Sequence, residues 1–491
     1  MQQVVINAAG MEKRTALLHN GKLVECAYQR PTEKPSTGSI YKGRVQKVLP
    51  GMQAVFVDIG TDKNGFLHKD DLPAFQVLTD EEKKKTTISS LIKEGESVLV
   101  QIAKEESGDK GAKLTALLSF TGHLLVYFPF TSHIGVSKKI QESNRETLLR
   151  WGSERLEPQE GLIIRTGCEE FPEKEMNHEL MRLKQQYSEV KRHDVAKKAP
   201  ALIIRPPFYQ TYLERWLNQN VEDVIVDDHE TYLQIKDYIS TYRKAYKVKL
   251  YHEKEPIFKK YGIDVEIQKS LSPHVWLKNG SSLYWNATEA LTVVDVNTGK
   301  FTGKKDRAKT VVETNLLAAK EIMRQLRLRN LAGMIVIDFI TMESKEDKQK
   351  ITLAMQEEIK KDSSTMILHG FTKMGLFEMT RKKDRPSLLE TLAVKPRAEI
   401  MDGHILRSES YFYELERIAH EYSFHDDEAL WIEGPDYFVD WLQKNPQQHS
   451  SIENQYGITL FVTAGSINRN IIVRQTGTKT KITERMLKES D

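Results

Sequence analysis

Hydrophobic and polar positions along the chain change period several times, and each change predicts a change of architecture. Residues 1–30 read as a hairpin: VVINA, a polar turn, then RTALLHNGKLVECAY with Asn20–Gly21 as its turn signal. The stretch QRPTEKPSTGS (29–39) has the composition of a linker. Residues 39–119 hold short strand-like runs (IYKGRVQKVL, MQAVFVDIG, ESVLVQIAKE), the last placing Val98, Val100 and Ile102 on one face. Such runs predict an all-β segment closing as a small barrel of OB type. GLIIRTG (161–167) is an apolar strand ending in Arg165 and Thr166. After it Met176, Leu180, Leu183, Tyr187 and Val190 recur at spacings of 4, 3, 4 and 3, a helix with Pro172 in its first turn.

Residues 200–277 alternate strand and helix, an α/β pattern that could rejoin the N-terminal hairpin in one sheet, with the barrel and the Arg–Thr region inserted between. Residues 278–400 are α/β as well. A strand at 291–296 is followed by a helix over about 310–328, with Val312, Leu316, Ala319, Met323 and Leu326 at spacings of 4, 3, 4 and 3. GMIVIDFI (333–340) is a second nearly all-apolar strand, and another helix follows over about 343–361. The pattern of the last ninety residues is mixed.

Length and charge sharpen this picture. With 491 residues the chain is expected to hold roughly three or four domains. The net charge of +3 says little, but its distribution says more. Lys300, Lys304, Lys305, Arg307 and Lys309 stand against Asp306, and Arg381, Lys382, Lys383 and Arg385 against Asp384. Such clusters are either polyanion-binding patches or solvated faces. Two cysteines, Cys26 and Cys168, make a disulfide framework and a CxxC zinc pair both impossible. The N-terminal stretch lacks the apolar core of a signal peptide, and no apolar run approaches the length needed to span a bilayer. The expected location is the cytoplasm.

The candidate chemistry lies where the apolar strands are interrupted. Each of the two carries a single acid, Asp295 and Asp338, with Asn297 two residues beyond the first. A strand–helix–strand unit tends to bring such strands together in parallel. Two carboxylates meeting at a sheet edge repel, and a divalent cation between them relieves the repulsion. Oxygen-only ligands suit Mg²⁺ or Mn²⁺ rather than zinc. Alternatively, each Asp caps a helix or pairs with an Arg. Arg165 with Thr166 offers a guanidinium and a hydroxyl to a phosphate. In the barrel, Phe56 and Phe66 either stack on bases or fill the core, while Lys104 and Lys110 could reach phosphates.

Five motifs together resemble the ribonuclease E/G family over most of the chain: YKGRVQKVLPGMQAVFVDIG…GFL, GLIIRTG, VVDVNTGKFTG, TNLLAAKEIMRQLRLRNLAGMIVIDFI and GLFEMTRKKDRPSL. The resemblance implies a multidomain α/β plus β architecture. Its parts would be an RNase H-like, purely structural domain (1–38 and 200–277), an S1-type OB RNA-binding domain (39–119), a 5′-sensor region (120–199), a DNase I-like catalytic domain (278–400) and a small C-terminal α+β domain (401–491). It assigns Asp295 and Asp338 to the catalytic Mg²⁺, with Asn297 beside them. It assigns Arg165, Thr166, the backbone at Gly122 and Val126, and Arg381 to recognition of a 5′-monophosphate. Phe56, Phe66, Lys104 and Lys110 fall on RNA-contacting positions, and Lys300 begins an RNA-facing loop.

One departure concerns assembly. Lys395 and Ala398 stand where the family's CPxC motif has the cysteines through which two chains share a zinc ion. An ammonium cannot replace a thiolate ligand, so no zinc is expected and any homodimer would rest on packing alone. The layout resembles that of the shorter family members, without a long scaffold tail. The implied activity is a Mg²⁺-dependent endoribonuclease that cuts single-stranded RNA, favours 5′-monophosphorylated substrates, leaves 5′-phosphate products and acts on rRNA precursors and mRNA. The alternative is a non-catalytic RNA-binding or ribosome-associated protein of the same fold; a DNA nuclease is a weaker third reading.

Overall fold

Asn20 and Gly21 both have positive φ, 49° and 74°, and close the tight turn between the strands Lys13–His19 and Lys22–Gln29. These two strands and Gln2–Asn7 form one edge of a five-stranded sheet. Gln2–Asn7 pairs in parallel with Val221–Val226, and that strand in turn with Lys247–Leu250. The N-terminal hairpin therefore shares a sheet with strands that begin only at Val221 and Lys247.

The computed structural model describes every residue except 32–36, 107–109, 139, 218–220, 241–245, 289, 299–306, 384, 395–404, 466–469 and 491. The chain divides into two compact units: Met1–Arg30 with Arg215–Leu233 and Tyr246–Asp491, and Pro31–Glu214 with Gln234–Ala245.

The second unit contains the barrel. Strands Ile40–Leu49, Ala54–Asp58, Gly65–His68, Lys113–Thr115 and Ser97–Lys104 run in that order around it, and Ile40–Leu49 closes it by pairing with Ser97–Lys104. This is the closed five-stranded, OB-like barrel that the short runs implied. Val45, Val55, Val57, Leu67, Val100, Ile102 and Leu114 fill its interior. Ala201–Ile204, expected to open the following α/β stretch, instead pairs with Ile40–Leu49 and extends the barrel's sheet. The unit also holds a four-stranded sheet that includes Leu125–Phe128 and Gly161–Ile164, packed against the helix Glu173–Ala196. That helix buries Met176, Leu180, Leu183 and Val190, as their spacing required.

In the first unit a six-stranded sheet has the order His274–Trp276, Ser282–Ala287, Leu291–Asn297, Gly333–Asp338, Phe377–Arg381, Met366–Phe371. Leu291–Asn297 and Gly333–Asp338 are parallel, joined through the helix Arg307–Arg329. Val294, Val296, Ile335 and Ile337 pack with Ala318, Ile322, Met323 and Leu326 of that helix and Ile351 and Met355 of Lys345–Ile359. Each such burial is worth about 1.5–3 kcal/mol per large aliphatic side chain. The other face of the sheet leaves Tyr284, Val293 and Met334 exposed. Residues 405–491 add a three-stranded sheet, Thr459–Ala464, Ala429–Gly434 and Ile472–Gly477, with helices around it. Among the described residues no helix is long and apolar enough to cross a membrane.

Candidate active site

Asp295 and Asp338 are directly opposed in register on the adjacent parallel strands. Both sit near the C-terminal ends of those strands, where parallel sheets characteristically bind ligands. Alternation explains why neither is in the core. Thr292, Val294 and Val296 point into the helical layer, so Asp295 points to the open face and is half-buried; Asp338 is exposed. The Asn297 amide donates to Asp295 Oδ2 at 2.7 Å, fixing that carboxylate's orientation. Among the described residues neither Asp has a Lys or Arg partner and neither caps a helix. Like charges directly opposed across strands are destabilising unless something neutralises them.

The donor set fits a hard divalent cation. Two carboxylates that leave further coordination positions to water are how Mg²⁺ is commonly held. Among the described residues no group of three or more His, Cys, Asp or Glu is arranged around a metal. Burial pushes the thiols of Cys26 and Cys168 up to about 12, so neither offers a thiolate at neutral pH. Lys300 lies outside the described residues, as do Lys395 and Ala398.

A second cluster surrounds the start of Leu125–Phe128. Glu179, buried in the helix Glu173–Ala196, accepts the backbone N–H groups of Leu124 and Leu125, each at 2.9 Å. Burial raises its pKa, and those two bonds pull the other way. A Cβ at Gly122 would fall 2.1 Å from Glu179 Oε1, so this turn accepts only glycine without rearrangement. The Gly122 carbonyl accepts from Arg165 Nη1 at 2.7 Å, and the Arg165 N–H donates to the Leu124 carbonyl at 2.8 Å. Thr166 opens a short 3₁₀ turn and its Oγ1 lies 2.9 Å from Ser137 Oγ. Val126, half-buried, pairs with Thr121 and Ile163. His123 beside them is held neutral, its pKa pushed down to about 4 by burial and the Arg165 charge. Arg165, Thr166, Gly122 and Val126 are thus gathered on one pair of strands and the turn beside them.

On the barrel the candidates align. Phe56 opposes Phe66, Phe66 opposes Lys113, and Lys113 opposes Lys104, one row across four strands. The two rings meet edge-on, 6.2 Å apart at 69°. Both are half-buried on the outer surface, because Val55, Val57 and Leu67 take the interior positions. Lys104 and Lys110 are exposed. Lys113 was not among the expected residues. The alternation of KLT, with Leu114 inward, is the signal that would have placed it outside.

A family model described as Ribonuclease E/G family matches residues 119–384. Ribonuclease G of Escherichia coli (strain K12) is 36% identical over 468 residues, 92% of this chain and 94% of the relative. Ribonuclease G of Haemophilus influenzae is 35% identical over 84% of this chain and 86% of its own length. Ribonuclease E of Nostoc sp. is 33% identical over 72% of this chain and 52% of its own length. The chain belongs to the ribonuclease E/G family.

Within this family member one expected site residue has a different role. Arg381 is buried, and all three of its guanidinium nitrogens donate hydrogen bonds inside the first unit. Nε and Nη2 donate to the two oxygens of Asp362 at 3.1 and 3.3 Å, and Nη1 donates to Asn330 Oδ1 at 2.8 Å and to the Leu331 carbonyl at 3.1 Å. A guanidinium so committed has no fork left to offer a phosphate. Arg381 instead ties the strand Phe377–Arg381 to the end of the helix Arg307–Arg329. Asn315 is a positioning residue that the sequence reading passed over. Fully buried in that helix, its Nδ2 donates to the Ile340 carbonyl at 2.8 Å and its Oδ1 accepts the Ile340 N–H at 3.1 Å, anchoring the chain just after Asp338. An Asn on an otherwise apolar helix face was the available signal.

Proposed function

We propose that this protein is a Mg²⁺-dependent endoribonuclease (Mn²⁺ serving as an alternative) that cleaves single-stranded RNA, favours 5′-monophosphorylated substrates, and acts in RNA processing and decay. As a member of the ribonuclease E/G family it is an endoribonuclease. The finer reading is carried by one observation: Asp295 and Asp338 face each other in register on the open side of the sheet, with Asn297 orienting the first and, among the described residues, no basic side chain neutralising either. Asp295 and Asp338 would hold the ion, which when bound supplies a Lewis acid and a water of lowered pKa. The chain's own part is to fix those carboxylates, leave room for water, and hold the strand so that hydrolysis yields 5′-phosphate and 3′-hydroxyl ends.

The remaining sites support substrate choice. Arg165 and Thr166, with the backbone at Gly122 and Val126, would take a terminal phosphate, since a guanidinium and a hydroxyl match its oxygens. Phe56 and Phe66 would stack on bases, and Lys104, Lys110 and Lys113 would take phosphates. Lys104 and Lys113 are directly opposed, an arrangement that a bound polyanion stabilises. In this reading the barrel is of S1 type, the N-terminal sheet RNase H-like and the six-stranded sheet DNase I-like. The substrates are rRNA precursors and mRNA in the cytoplasm, and any homodimer forms without zinc.

The test compares one AU-rich oligonucleotide bearing a 5′-monophosphate with the same one bearing a 5′-hydroxyl. Chelator should stop cleavage of both and Mg²⁺ should restore it; cleavage that persists in excess chelator rules out the metal assignment. Sizing before and after chelator reads the assembly, and a dimer that chelator dissociates would contradict zinc-free pairing. In the same assay Arg165→Ala should bring the rate ratio between the two ends to about one, with the 5′-hydroxyl rate nearly unchanged. A surviving preference would remove Arg165 from the sensor.

A further inference from the structure

The open face that carries Asp295 and Asp338 continues toward the edge of the sheet, and there it is aromatic. His274, Tyr284, Asp295 and Asp338 oppose one another in a single row across four adjacent strands. The next row holds Trp276, Ser282 and Asn297. Directly opposed residues share a face, with Cβ atoms about 4.5–5.5 Å apart. Tyr284 is 47% exposed and Trp276 71%. Register specifies this exposure, because the alternate residues Val275 and Leu283 pack into the core on the other side. The His274 and Trp276 rings touch at 4.6 Å and 64°.

Past this edge strand lies a cavity of about 1070 Å³, with His274 and Trp276 on its wall. Eight of its lining side chains are Lys or Arg and three are Glu. Among the described residues Lys278 and Lys320 have no ion-pair partner. Arg327, also on the wall, is 5% exposed, and its Nε finds no hydrogen-bond partner. Its Nη1 donates to the Glu358 carbonyl at 3.4 Å and its Nη2 lies 3.9 Å from the Glu358 carboxylate, which leaves Nε as the one unsatisfied donor. A buried N–H without a partner, beside an excess of Lys and Arg over Glu, favours an anion.

We infer that Tyr284 and Trp276 form a stacking subsite for the bases next to the cleaved bond, and that the cavity beyond takes the phosphates of the same strand. The inference rests on reading Asp295 and Asp338 as the cleavage site. Single-stranded RNA is the occupant that matches both halves: it presents unpaired base faces to aromatic rings and a charge at every nucleotide to the cations.

The test uses the full chain and 5′-monophosphorylated oligonucleotides with one cleavage site, intact or with an abasic residue at each flanking position in turn. Tyr284→Ala should lower kcat/KM by roughly five- to a hundredfold on the intact strand. Tyr284→Phe should restore it, since it keeps the ring. On the strand missing the stacked base, wild type and Tyr284→Ala should become equal, and Trp276→Ala should behave likewise at a neighbouring position. Binding measured on the Asp295→Asn background should show the slope of log Kd against log salt reduced by about 1.4 when Lys278 and Lys320 are both changed to Ala. An unchanged thermal transition controls for folding. If Tyr284→Ala cleaves like wild type while Asp295→Asn is inactive, the stacking subsite is wrong and the active site stands. If Asp295→Asn remains active, both readings fall. Loss of a dimer in Tyr284→Ala, with unchanged dependence on the flanking bases, would assign the face to a second copy and overturn the proposal.

Discussion

Asp295→Asn should lower kcat/KM for RNA cleavage by about a thousandfold or more while leaving RNA binding measurable. The substitution keeps shape and hydrogen-bonding capacity but removes the charge that, with Asp338, would hold the ion. Metal-assisted stabilisation of a phosphodiester transition state is worth several kcal/mol, and each 1.36 kcal/mol is tenfold in rate. Folding should survive, because Asp295 is only half-buried and its one side-chain bond is donated by the Asn297 amide. Removing one of two opposed carboxylates also relieves their repulsion, so the variant's thermal stability in chelator should equal or exceed the wild type's. Cleavage at the wild-type rate would show that the carboxylate pair is not the reaction centre.

Asp362→Ala should lower the stability of the first unit by about 3–5 kcal/mol, the cost of leaving a buried charge without its partner. The Asp362 carboxylate and the Arg381 side chain are 0% and 2% exposed, so water cannot take the place of the lost oxygens. Urea unfolding of the full chain should show an earlier transition. Changing both partners together, Asp362→Leu with Arg381→Met, should recover part of the loss, because removing the whole pair costs less than breaking it. The same variants separate the two roles considered for Arg381. The ratio of cleavage on 5′-monophosphate and 5′-hydroxyl ends should stay at the wild-type value in the folded double variant. A ratio that collapses would return Arg381 to phosphate recognition.

Much of the six-stranded sheet that carries Asp295 and Asp338 was legible before the structure. Spacings of four and three residues from Val312 to Leu326 mark one stripe of a helix, and the helix spans Arg307–Arg329. The apolar runs that end near Asp295 and Asp338 are parallel neighbours because a helical crossover leaves few other ways to bury both. The candidates at Arg165 and Thr166 were legible as phosphate-compatible chemistry at the end of an apolar strand. What sets them against Gly122, with Glu179 beneath the turn, is a set of bonds more than forty residues apart in sequence.

Local pattern was sufficient wherever the periodicity of one element dictates which side is buried. It therefore determined the strand–helix–strand unit, the strands of the barrel within residues 39–119, and a pair of acids with no apolar reason to be there; the short helices Pro73–Gln76, Asp80–Lys85 and Ile88–Leu91 depart from the all-β reading of that stretch. Partnership across the chain was decided by tertiary structure alone. Register brought Asp295 opposite Asp338 and Tyr284 opposite Asp295, closure of the barrel turned Phe56 and Phe66 outward into a row with Lys113 and Lys104, and Ala201–Ile204 joined the barrel's sheet. Arg381 carries the difference most plainly. In sequence it belongs to a basic run that suits a polyanion, and in the fold it meets Asp362 in a dry interior, where a charge persists only with a partner. A side chain's chemistry is written in the sequence, but whether water, a ligand or a neighbouring residue satisfies it depends on which surfaces the folded chain leaves open.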